Sequence, residues 1–495
     1  VYGPGMLRGS VSRLSIASIV RDLQKSTQQV DAENLYKDAQ TKFEFAGGTN
    51  PIKHIVYVIK ENRTYDQIFG DMREANGDPS LVMYGEEITP NQHALARRFG
   101  ILDNFYDSGE VSGNGHVWST AAITSDYTER IWPIGYRGGE RSYDFEGNVS
   151  NSIPLLLGIG DVNEPGTGYL WTNLATHHRN YRHYGEFVET TWCSGGAKAA
   201  PEAQEDESKH PCTVAEIAPG EALPSGAPSP YPWPIPLIYE NRATKRELVD
   251  HFDPKFADFN LDYPDQLRAD EFIREFSDFE KTDSLPEFML VRLPNDHTSG
   301  AKAGKPTPKA AVADNDLALG RVVEAISHSK YWNDTAIFVL EDDAQDGADH
   351  VDSHRSLGLV ISKYSPIRTA GPFVESGFYT TVNMVHTMEA LLGLPPMNAN
   401  DAYAPVMVHM FSGRGEQPAF VADHRNEKNG LMYQVNPSGS AAARQSARLD
   451  FSHADAADSR VLNRILWRDA KGKAAIPAPV HRVIPAALSA GRQDD

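Results

Sequence analysis

The stretch IFVLEDDAQDGADHVDSHR, residues 337–355, joins an apolar run to a dense set of residues of the types that bind metals. The four apolar residues from Ile337 to Leu340 predict a short buried strand. Carboxylates and imidazoles then occupy eight of the next fourteen positions: Glu341, Asp342, Asp343, Asp346, Asp349, His350, Asp352 and His354. Acidic groups packed this densely repel one another unless a cation or protons compensate, and ligands of α/β proteins bind at the carboxyl ends of strands. We therefore interpret the stretch as half of a metal site.

Two other interpretations compete with this one. Charge runs usually form solvated surface loops, but here an apolar strand leads directly into the run and histidines are interleaved at its far end. An EF-hand calcium loop fits poorly because Ala344 and Ser353 occupy the third and twelfth positions, where such a loop needs ligands. A metal site at the end of a strand remains the favoured interpretation.

The composition sets broad limits on function. The chain has 495 residues, of which 40% are hydrophobic and 23% charged, as in an ordinary globular enzyme. Its 47 basic and 67 acidic residues give a net charge of −20, which argues against nucleic acid or an anionic membrane as the main partner. No apolar run approaches the roughly 18 residues of a transmembrane helix.

The two cysteines bear on the compartment. Cys193 and Cys212 are 19 residues apart in a stretch rich in Gly, Ala, Pro and Glu. Two free thiols are possible, but we favour a disulfide that ties this excursion down. A disulfide would indicate an oxidising compartment, so we expect a periplasmic or secreted protein.

Two further predicted strands end in residues that bind metals. The run from His54 to Ile59 has the β-branched character of a central parallel strand and leads into Glu61 and Asn62. Asn62 or Thr64 can alternatively cap the following helix. The apolar run 288–293 is likewise followed by two residues that can bind a metal, Asp296 and His297. Because neighbouring strands end at one edge of a sheet, we expect these residues to converge on the acidic stretch.

A glycine-rich, hydroxyl-bearing segment follows a predicted strand at 99–106. It reads DSGEVSGNGHVWS, residues 107–119, and contains Ser112 and His116. We predict a turn here and a helix over 121–127. A serine between a strand and a helix can expose its hydroxyl beside the N–H groups of a helix N-terminus, which stabilise an oxyanion.

The rest of the sequence predicts three regions of the chain. Residues 1–50 predict a lead-in, with a strand at 9–16 and a helix from Ile19 to Lys42. Residues 51–415 form the predicted catalytic domain with a loop-rich insertion around 130–285, and 416–495 a C-terminal extension. Further helices are predicted at 92–98, 311–327, 380–392 and 458–467, and a strand at 357–361.

Two motifs resemble the bacterial phosphoesterase family. ENRTYD at 61–66 after an apolar strand, and Asp342-Asp343 followed by Asp349-His350-Val351, match its signature elements. This family includes acid phosphatases and phospholipases C and lies within the alkaline phosphatase superfamily. The resemblance covers roughly residues 52–400 and implies a three-layer α/β/α sandwich with a mostly parallel central sheet. The lead-in resembles the junction of relatives in which a β-propeller precedes this domain.

The resemblance implies roles for particular residues. The metal ligands would be Glu61, Asn62, Asp342 and Asp343, with Asp296 and Asp349 as further candidates. Ser112 would be the nucleophile that forms a phosphoserine, because it precedes His116 by four residues, as in the Ser-Glu-Val-Gly-His element of cofactor-independent phosphoglycerate mutases. Ser108 and Ser119 are the alternatives to Ser112.

The resemblance also implies contacts with the substrate. His116, His297, His350 and His354 would bind phosphate oxygens, transfer protons or complete a second metal site, and Asn114 would also bind substrate. Two-metal relatives carry an Asp-x-x-x-His pair, whereas Gly300 stands four residues after Asp296. Arg63 would either clamp a phosphate oxygen or pair with a carboxylate.

The expected activity is metal-dependent hydrolysis of phosphoric esters, as monoesters or as diesters of the phospholipid type. The divalent ion is Zn, Mn, Fe or Ca on ligand chemistry alone. A phosphotransferase or mutase of the same superfamily is one alternative, and a non-catalytic secreted scaffold that binds calcium is another. The Ser112 hydroxyl distinguishes them, because a scaffold does not need it for turnover.

Overall fold

The centre of the fold is a sheet of five strands. A computed structural model describes residues 13, 15–33, 42–135, 143, 145–147, 164–195, 209–344, 347–451 and 457–477. The sheet strands are β1 (His54–Lys60), β4 (Tyr181–Tyr184), β10 (Phe288–Leu293), β11 (Thr335–Glu341) and β12 (Gly358–Ser362). β1 pairs in parallel with β10 and β11, β10 with β4 also in parallel, and β12 runs antiparallel to β11.

Side chains of alternate residues in the sheet pack into two separate apolar cores, one on each face. Val56 and Val58 of β1 face one core, while Ile55, Tyr57 and Ile59 face the other. This follows from the two-residue period of a strand that is buried on both faces. Helices complete both cores, so the architecture is the mixed α/β fold with three layers and a mostly parallel sheet that the sequence predicts.

The helices lie before, between and after the sheet strands. They are α1 (Ile16–Glu33), α2 (Tyr65–Phe69), α3 (Pro90–Phe99), α4 (Ser112–Ala121), α5 (Asp126–Gly135), α6 (Leu170–Thr176), α7 (Asp265–Thr282), α8 (Pro308–Ser327), α9 (Thr381–Leu392), α10 (Ala399–Tyr403), α11 (Arg425–Lys428), α12 (Ala441–Ser446) and α13 (Ser459–Lys471). The predicted helices at 92–98, 311–327, 380–392 and 458–467 are confirmed to within a few residues at their ends.

The predicted strand over 99–106 is wrong as a member of the central sheet. It divides into β2 (Ile101–Leu102) and β3 (Phe105–Tyr106), which pair with β13 (Val374–Glu375) and β14 (Tyr379–Thr380) in two small sheets. The apolar residues that suggested a core strand are nonetheless buried. Burial of a short apolar run does not distinguish a central strand from an extended connection.

The helix predicted at 121–127 is also misplaced. α4 begins at Ser112 and contains two glycines, which indicate a turn in isolation because each costs up to about 1 kcal/mol in a helix. Gly115 is needed by the packing: a Cβ there would collide with the backbone carbonyl of Asp342. The close approach of α4 to the end of β11 is a tertiary requirement that overrides helix propensity.

The region between β4 and β10 carries an accessory three-stranded sheet. β5 (Val188–Gly195) pairs with β6 (Lys209–Cys212) and β9 (Ile238–Ala243), and β7 (Glu216–Ile217) pairs with β8 (Ile235–Pro236). Cys193 and Cys212 form a disulfide between β5 and β6, with their Cα atoms 5.3 Å apart. The predicted disulfide is confirmed.

At the N-terminus, the predicted helix begins at Ile16 and ends at Glu33. Most of the strand predicted at 9–16, and residues 34–41 of the predicted helix, lie outside the described residues. In the part of the chain that the structure describes, no helix combines the length and apolar character needed to cross a bilayer.

A buried carboxyl on α9 makes stability depend on pH. Burial, and then the neighbouring Asp401, raise the pKa of Glu389 to about 9. Below pH 4.5 the group is protonated whether the chain is folded or unfolded. Between pH 4.5 and 9 only the folded state keeps the proton, so stability falls as pH rises, by about 3 kcal/mol at pH 7 from this group alone.

We therefore expect Glu389→Gln to flatten the decline of the melting temperature between pH 5 and pH 9. Thermal unfolding followed by circular dichroism at half-unit pH steps measures this slope. The exposed Glu240→Gln is the control and should keep the wild-type slope. Parallel curves for Glu389→Gln and wild type would contradict the prediction.

Candidate active site

The carboxyl ends of β1, β10 and β11 meet at one edge of the sheet. In the strand register, Lys60 is opposite both Leu293 and Glu341, so the residues after each strand emerge side by side. The Asp342 N–H donates to the Lys60 carbonyl at 3.0 Å and continues the pairing one step past β11. This places Glu61 and Asn62 beside Asp342 and Asp343, as the sequence predicts.

Ser112 reaches this edge from outside the sheet, at the first turn of α4. Its hydroxyl donates to Asp343 Oδ2 at 2.7 Å. The Asn62 side-chain N–H donates both to Ser112 Oγ and to Asp343 Oδ2, each at 2.8 Å. The three side chains are buried and form a closed triangle, in which a carboxylate is placed to accept the serine proton.

Asn62 holds this geometry through an unusual backbone conformation. Its φ is +62°, in the left-handed region that side chains other than Asn and Asp rarely adopt. The N-cap of α2 is instead Thr64, whose Oγ1 accepts from Gln67 N. The alternative that one of these residues caps the helix is thus correct for Thr64, while Asn62 turns into the site.

His116 lies at the centre of a second group of charged side chains behind Ser112. Its Nδ1 is 2.8 Å from Glu186 Oε1. Its Nε2 is 3.2 Å from a guanidinium nitrogen of Arg292 and 3.5 to 3.6 Å from carboxylate oxygens of Glu61 and Glu146. Arg292 also donates to Glu61 Oε1 at 2.6 Å and pairs with Glu146.

The same nitrogen of His116 faces the metal-binding residues predicted at the strand end. Nε2 is 3.5 Å from Asp342 Oδ2. Ligand-type atoms of Glu61, His116 and Asp342 all lie within 4.8 Å of one another, and all three residues are buried. Neither Asp342 oxygen accepts a well-aligned hydrogen bond from a described residue, although the Ser112 hydroxyl is close enough to oppose slightly the rise that burial causes in the pKa of Asp342. Asn62 Oδ1 accepts none either. Buried oxygens without well-aligned donors indicate a site for a cation.

The electrostatics support the same conclusion. Burial raises the pKa of Asp342 well above its usual value, and the charges of Glu61 and Asp343 raise it further. Burial also raises the pKa of Glu146, to about 7, against the lowering effect of Arg292. In contrast, burial of Glu61 is outweighed by Arg292 and His116, which lower its pKa to about 2. A divalent ion would relieve this excess of carboxylates.

Lys60 neutralises a separate pair of acids at the same edge. Its Nζ lies 2.7 Å from both Asp296 Oδ2 and Glu341 Oε1, and all three side chains are fully buried. Asp296 also accepts from Glu61 N at 3.1 Å. Asp296 therefore supports the turn that carries Glu61, and the structure does not group it with the carboxylates of Glu61 and Asp342.

His297 and Arg63 are placed beside the site. Burial lowers the pKa of His297, although the nearby Glu61 opposes the shift. Arg63 donates to the backbone carbonyls of Asn62, Asp296 and His297, so its guanidinium joins the turns after β1 and β10. None of these contacts is to a carboxylate, and a contact of Arg63 with a phosphate oxygen stays a prediction.

Asp349 and His350 belong to a different cluster, built with Asp66 and Arg355. His350 Nδ1 is 2.6 Å from Asp66 Oδ2, and Arg355 bonds both Asp349 and Asp66. Backbone N–H groups of Asp78, Val351 and neighbouring residues satisfy the same carboxylates. These hydrogen bonds fix the loop after β11 to the start of α2, and the cluster is separate from the one at Glu61 and Asp342. Ligand-type atoms of Asp66, Asp349 and His350 lie within 4.8 Å of one another, so Asp349 stays a predicted metal ligand, but of a different group.

The last two predicted substrate contacts hold the Ser112 segment. His354 bridges Asp352 at 2.8 Å and Glu110 at 3.2 Å, and these hydrogen bonds raise its pKa to about 10. Asn114 Oδ1 accepts from the backbone N–H of Glu110 and Val111. Both side chains thus orient the turn before Ser112.

Sequence reasoning missed Glu146, Glu186, Arg292 and Lys60. Two of them carry a recognisable signal: Arg292 and Lys60 stand inside or at the end of otherwise apolar strands, and a buried cation requires a buried acid. Glu146 and Glu186 come from the loop-rich region, where no periodicity marks them. Only the fold brings them to His116.

No known family profile matches the sequence. A search of curated proteins likewise finds no match. Solved structures do match, at low identity. A protein in the alkaline phosphatase superfamily from Vibrio parahaemolyticus matches with a TM-score of 0.39 and 18% identity, covering 75% of this chain and 73% of the other.

Two further structures match to a similar degree. The PsFucS1 sulfatase from Pseudoalteromonas sp. has a TM-score of 0.40 and 12% identity, with 79% and 77% of the two chains covered. The lipoteichoic acid synthase LtaP from Listeria monocytogenes has a TM-score of 0.36 and 11% identity, with 75% and 81% covered. The superfamily that the motifs resemble is thus represented among the matches. At these identities and TM-scores the likeness concerns the fold alone.

Proposed function

We propose that this protein is a metal-dependent hydrolase of phosphoric esters with Ser112 as its nucleophile. The observation that carries the proposal is the hydrogen bond of Ser112 Oγ to Asp343 Oδ2, 2.7 Å long, beside an Asp342 carboxylate whose oxygens have no well-aligned donor among the described residues. A buried serine hydroxyl paired with a carboxylate at a cation site is an activated nucleophile.

The residues of the chain supply a balanced two-step reaction. Asp343 accepts the proton of Ser112 as Oγ attacks phosphorus in line, and the phosphorus–oxygen bond to the leaving group breaks. The leaving alcohol takes the proton from Asp343, which leaves a phosphoserine. Water then attacks phosphorus while His297, kept neutral by burial, accepts the water proton. The bond between phosphorus and Ser112 Oγ breaks, and Oγ takes this proton back, which restores both the serine and the neutral His297 and releases the phosphate product.

A divalent ion would be held by Glu61, Asn62, Asp342 and Asp343. When bound, such an ion withdraws charge from phosphoryl oxygens and lowers the pKa of a nearby hydroxyl. Hard oxygen donors with one nearby imidazole accommodate Zn²⁺, Mn²⁺, Fe²⁺ or Ca²⁺.

The charge of the site favours a singly charged ester. The five carboxylates of Glu61, Glu146, Glu186, Asp342 and Asp343 still outnumber the positive charges of Arg292, of Arg63 beside them and, when loaded, of one divalent ion. A phosphate monoester dianion enters such a site against more repulsion than a phosphodiester or sulfate monoester, each with one negative charge.

We therefore expect bis(p-nitrophenyl) phosphate to be hydrolysed faster than p-nitrophenyl phosphate, and both activities to be lost with a chelator. The test compares kcat/KM for these two substrates and p-nitrophenyl sulfate after reloading with each of the four metals. A clear preference for the phosphate monoester would contradict the charge argument. A preference for the sulfate would identify a sulfatase with the same site.

The alternatives of a phosphotransferase and of a calcium scaffold have distinct signatures. A phosphotransferase would pass the phosphoryl group to an added alcohol in place of water, and a scaffold would bind calcium without turnover. The disulfide fits an oxidising compartment, so we propose a periplasmic or secreted protein.

A further inference from the structure

We infer that Glu186 is a positioning residue that presents Nε2 of His116 as a nitrogen ligand for the cation at Glu61 and Asp342. The inference rests on the proposed function and adds to it both a ligand and the residue that orients it. Glu186 lies in the tight connection between β4 and β5 and is fully buried with His116.

Two hydrogen bonds to the imidazole ring define its orientation. Nδ1 is 2.8 Å from Glu186 Oε1, and a carboxylate can only accept there, so Nδ1 carries the proton. Nε2 is 3.2 Å from a guanidinium nitrogen of Arg292, which can only donate, so Nε2 is the unprotonated nitrogen, and a bound cation would replace this N–H at its lone pair. A proton competes with the cation there, because burial is outweighed by Glu186 and Glu146, which raise the pKa of His116 well above its usual value. The two bonds select one tautomer, and its basic nitrogen is the one beside Glu61 and Asp342.

The same geometry argues against a second ion at His116, Glu146 and Glu186. This trio also has ligand-type atoms within 4.8 Å of one another. However, its imidazole nitrogen nearest Glu186 is Nδ1, which carries the proton. A protonated nitrogen cannot ligate, so the trio serves as the outer shell of one ion.

The oxygen ligands alone would leave the ion in an all-oxygen environment. Addition of His116 Nε2 gives a mixed nitrogen and oxygen set, which suits Zn²⁺, Mn²⁺ or Fe²⁺ better than Ca²⁺. Carboxylates that accept from the outer nitrogen of a ligating histidine fix its ring and raise its basicity, and their loss costs about 10- to 100-fold in metal affinity.

The test is titration of the metal-stripped full chain with Mn²⁺ by calorimetry. We expect one Mn²⁺ per wild-type chain, an affinity lowered about 10- to 100-fold in Glu186→Ala, and an intermediate value in Glu186→Gln, whose amide oxygen can still accept from Nδ1. Glu189→Gln is the matched control, because Glu189 lies on the adjoining β5 and pairs with Arg242 at the surface. It should bind as wild type does.

Pulsed electron paramagnetic resonance of the Mn²⁺-loaded chains separates positioning from a merely structural role. We expect nitrogen coupling in wild type and Glu189→Gln, its absence in His116→Ala, and its weakening in Glu186→Ala. Absence of nitrogen coupling in a wild type that binds one Mn²⁺ would overturn the inference and leave the proposed function standing. Wild-type affinity in Glu186→Ala would also overturn it. A wild type that binds none of Mn²⁺, Zn²⁺, Fe²⁺ and Ca²⁺ would overturn both.

Discussion

Ser112→Ala is expected to lower kcat/KM for bis(p-nitrophenyl) phosphate by at least about 10³-fold while leaving metal binding intact. The variant removes the attacking oxygen and one donor to Asp343, but keeps the oxygens of Glu61, Asn62 and Asp342 that would hold the ion. Alanine also suits the first turn of α4, so the fold should persist. Steady-state kinetics and Mn²⁺ calorimetry on the same preparation measure the two effects.

Ser108→Ala and Ser119→Ala are the comparisons for this experiment. Ser119 Oγ makes no hydrogen bond to a described residue, and its neighbour Tyr57 bonds to the Ser119 carbonyl instead. Ser108 contributes its backbone N–H to Thr381. Both variants should retain turnover. Equal activity in Ser112→Ala, or loss in either comparison variant, would contradict the nucleophile assignment, and no turnover in any chain would favour the calcium scaffold.

Asp342→Asn is expected to make the metal-free protein more stable and the metal-loaded protein inactive. Burial, Glu61 and Asp343 raise the pKa of Asp342 in the folded state. An acid with a raised folded pKa destabilises the fold at every pH above its unfolded value, by about 1.4 kcal/mol per unit of displacement. A neutral amide of the same shape removes this cost. We expect the melting temperature in the presence of a chelator to rise by about 2–5 °C at pH 7.

When metal is present, we expect Asp342→Asn to melt at a lower temperature than the wild type. An ion at 1,000 times its dissociation constant stabilises the wild type by about 4 kcal/mol, and loss of a charged ligand should remove most of this increment. We expect the affinity of Asp342→Asn to fall by at least about 100-fold and turnover to fall with it. Melting temperatures with chelator and with 1 mM Mn²⁺ provide the comparison.

Asp352→Asn is the matched control, since Asp352 lies in the same acidic stretch but pairs with His354 outside the cluster. Its melting temperature should rise on addition of Mn²⁺ by as much as that of the wild type. A lower melting temperature of Asp342→Asn in chelator would mean that Asp342 is paired in the metal-free protein. That result would contradict the assignment of its free oxygens to a cation.

The strands and their ends were determined by the sequence itself. The apolar runs at 54–59, 288–293 and 337–340 predict strands buried on both faces, as in a parallel sheet covered by helices. Such a sheet brings its carboxyl ends together, so the positions of Glu61, Asn62, Asp342 and Asp343 directly after their strands suffice to group them. The disulfide was predictable for a similar reason, because its two cysteines share one excursion of the chain.

The tertiary structure decided which other candidates join that group. Asp349 and His350 follow β11 as closely as the sequence pattern suggested, but Arg355 and Asp66 satisfy them elsewhere. Asp296 is likewise held by Lys60. Charge pairing between residues hundreds of positions apart leaves no local periodicity, so a sequence pattern cannot distinguish an acid with a partner from one without.

The surroundings of Ser112 and His116 also could not be predicted from a sequence pattern. Their glycine-rich segment resembles a turn, and only the contact of Gly115 with the Asp342 backbone makes it a helix that starts at Ser112. Glu146, Glu186 and Arg292 converge on His116 from three separate parts of the chain. The sequence by itself determined the central strands and the grouping of Glu61, Asn62, Asp342 and Asp343 at their ends. The tertiary structure decided the serine's helix and the environment of the histidine, because long-range packing and charge balance act between residues that no local pattern connects.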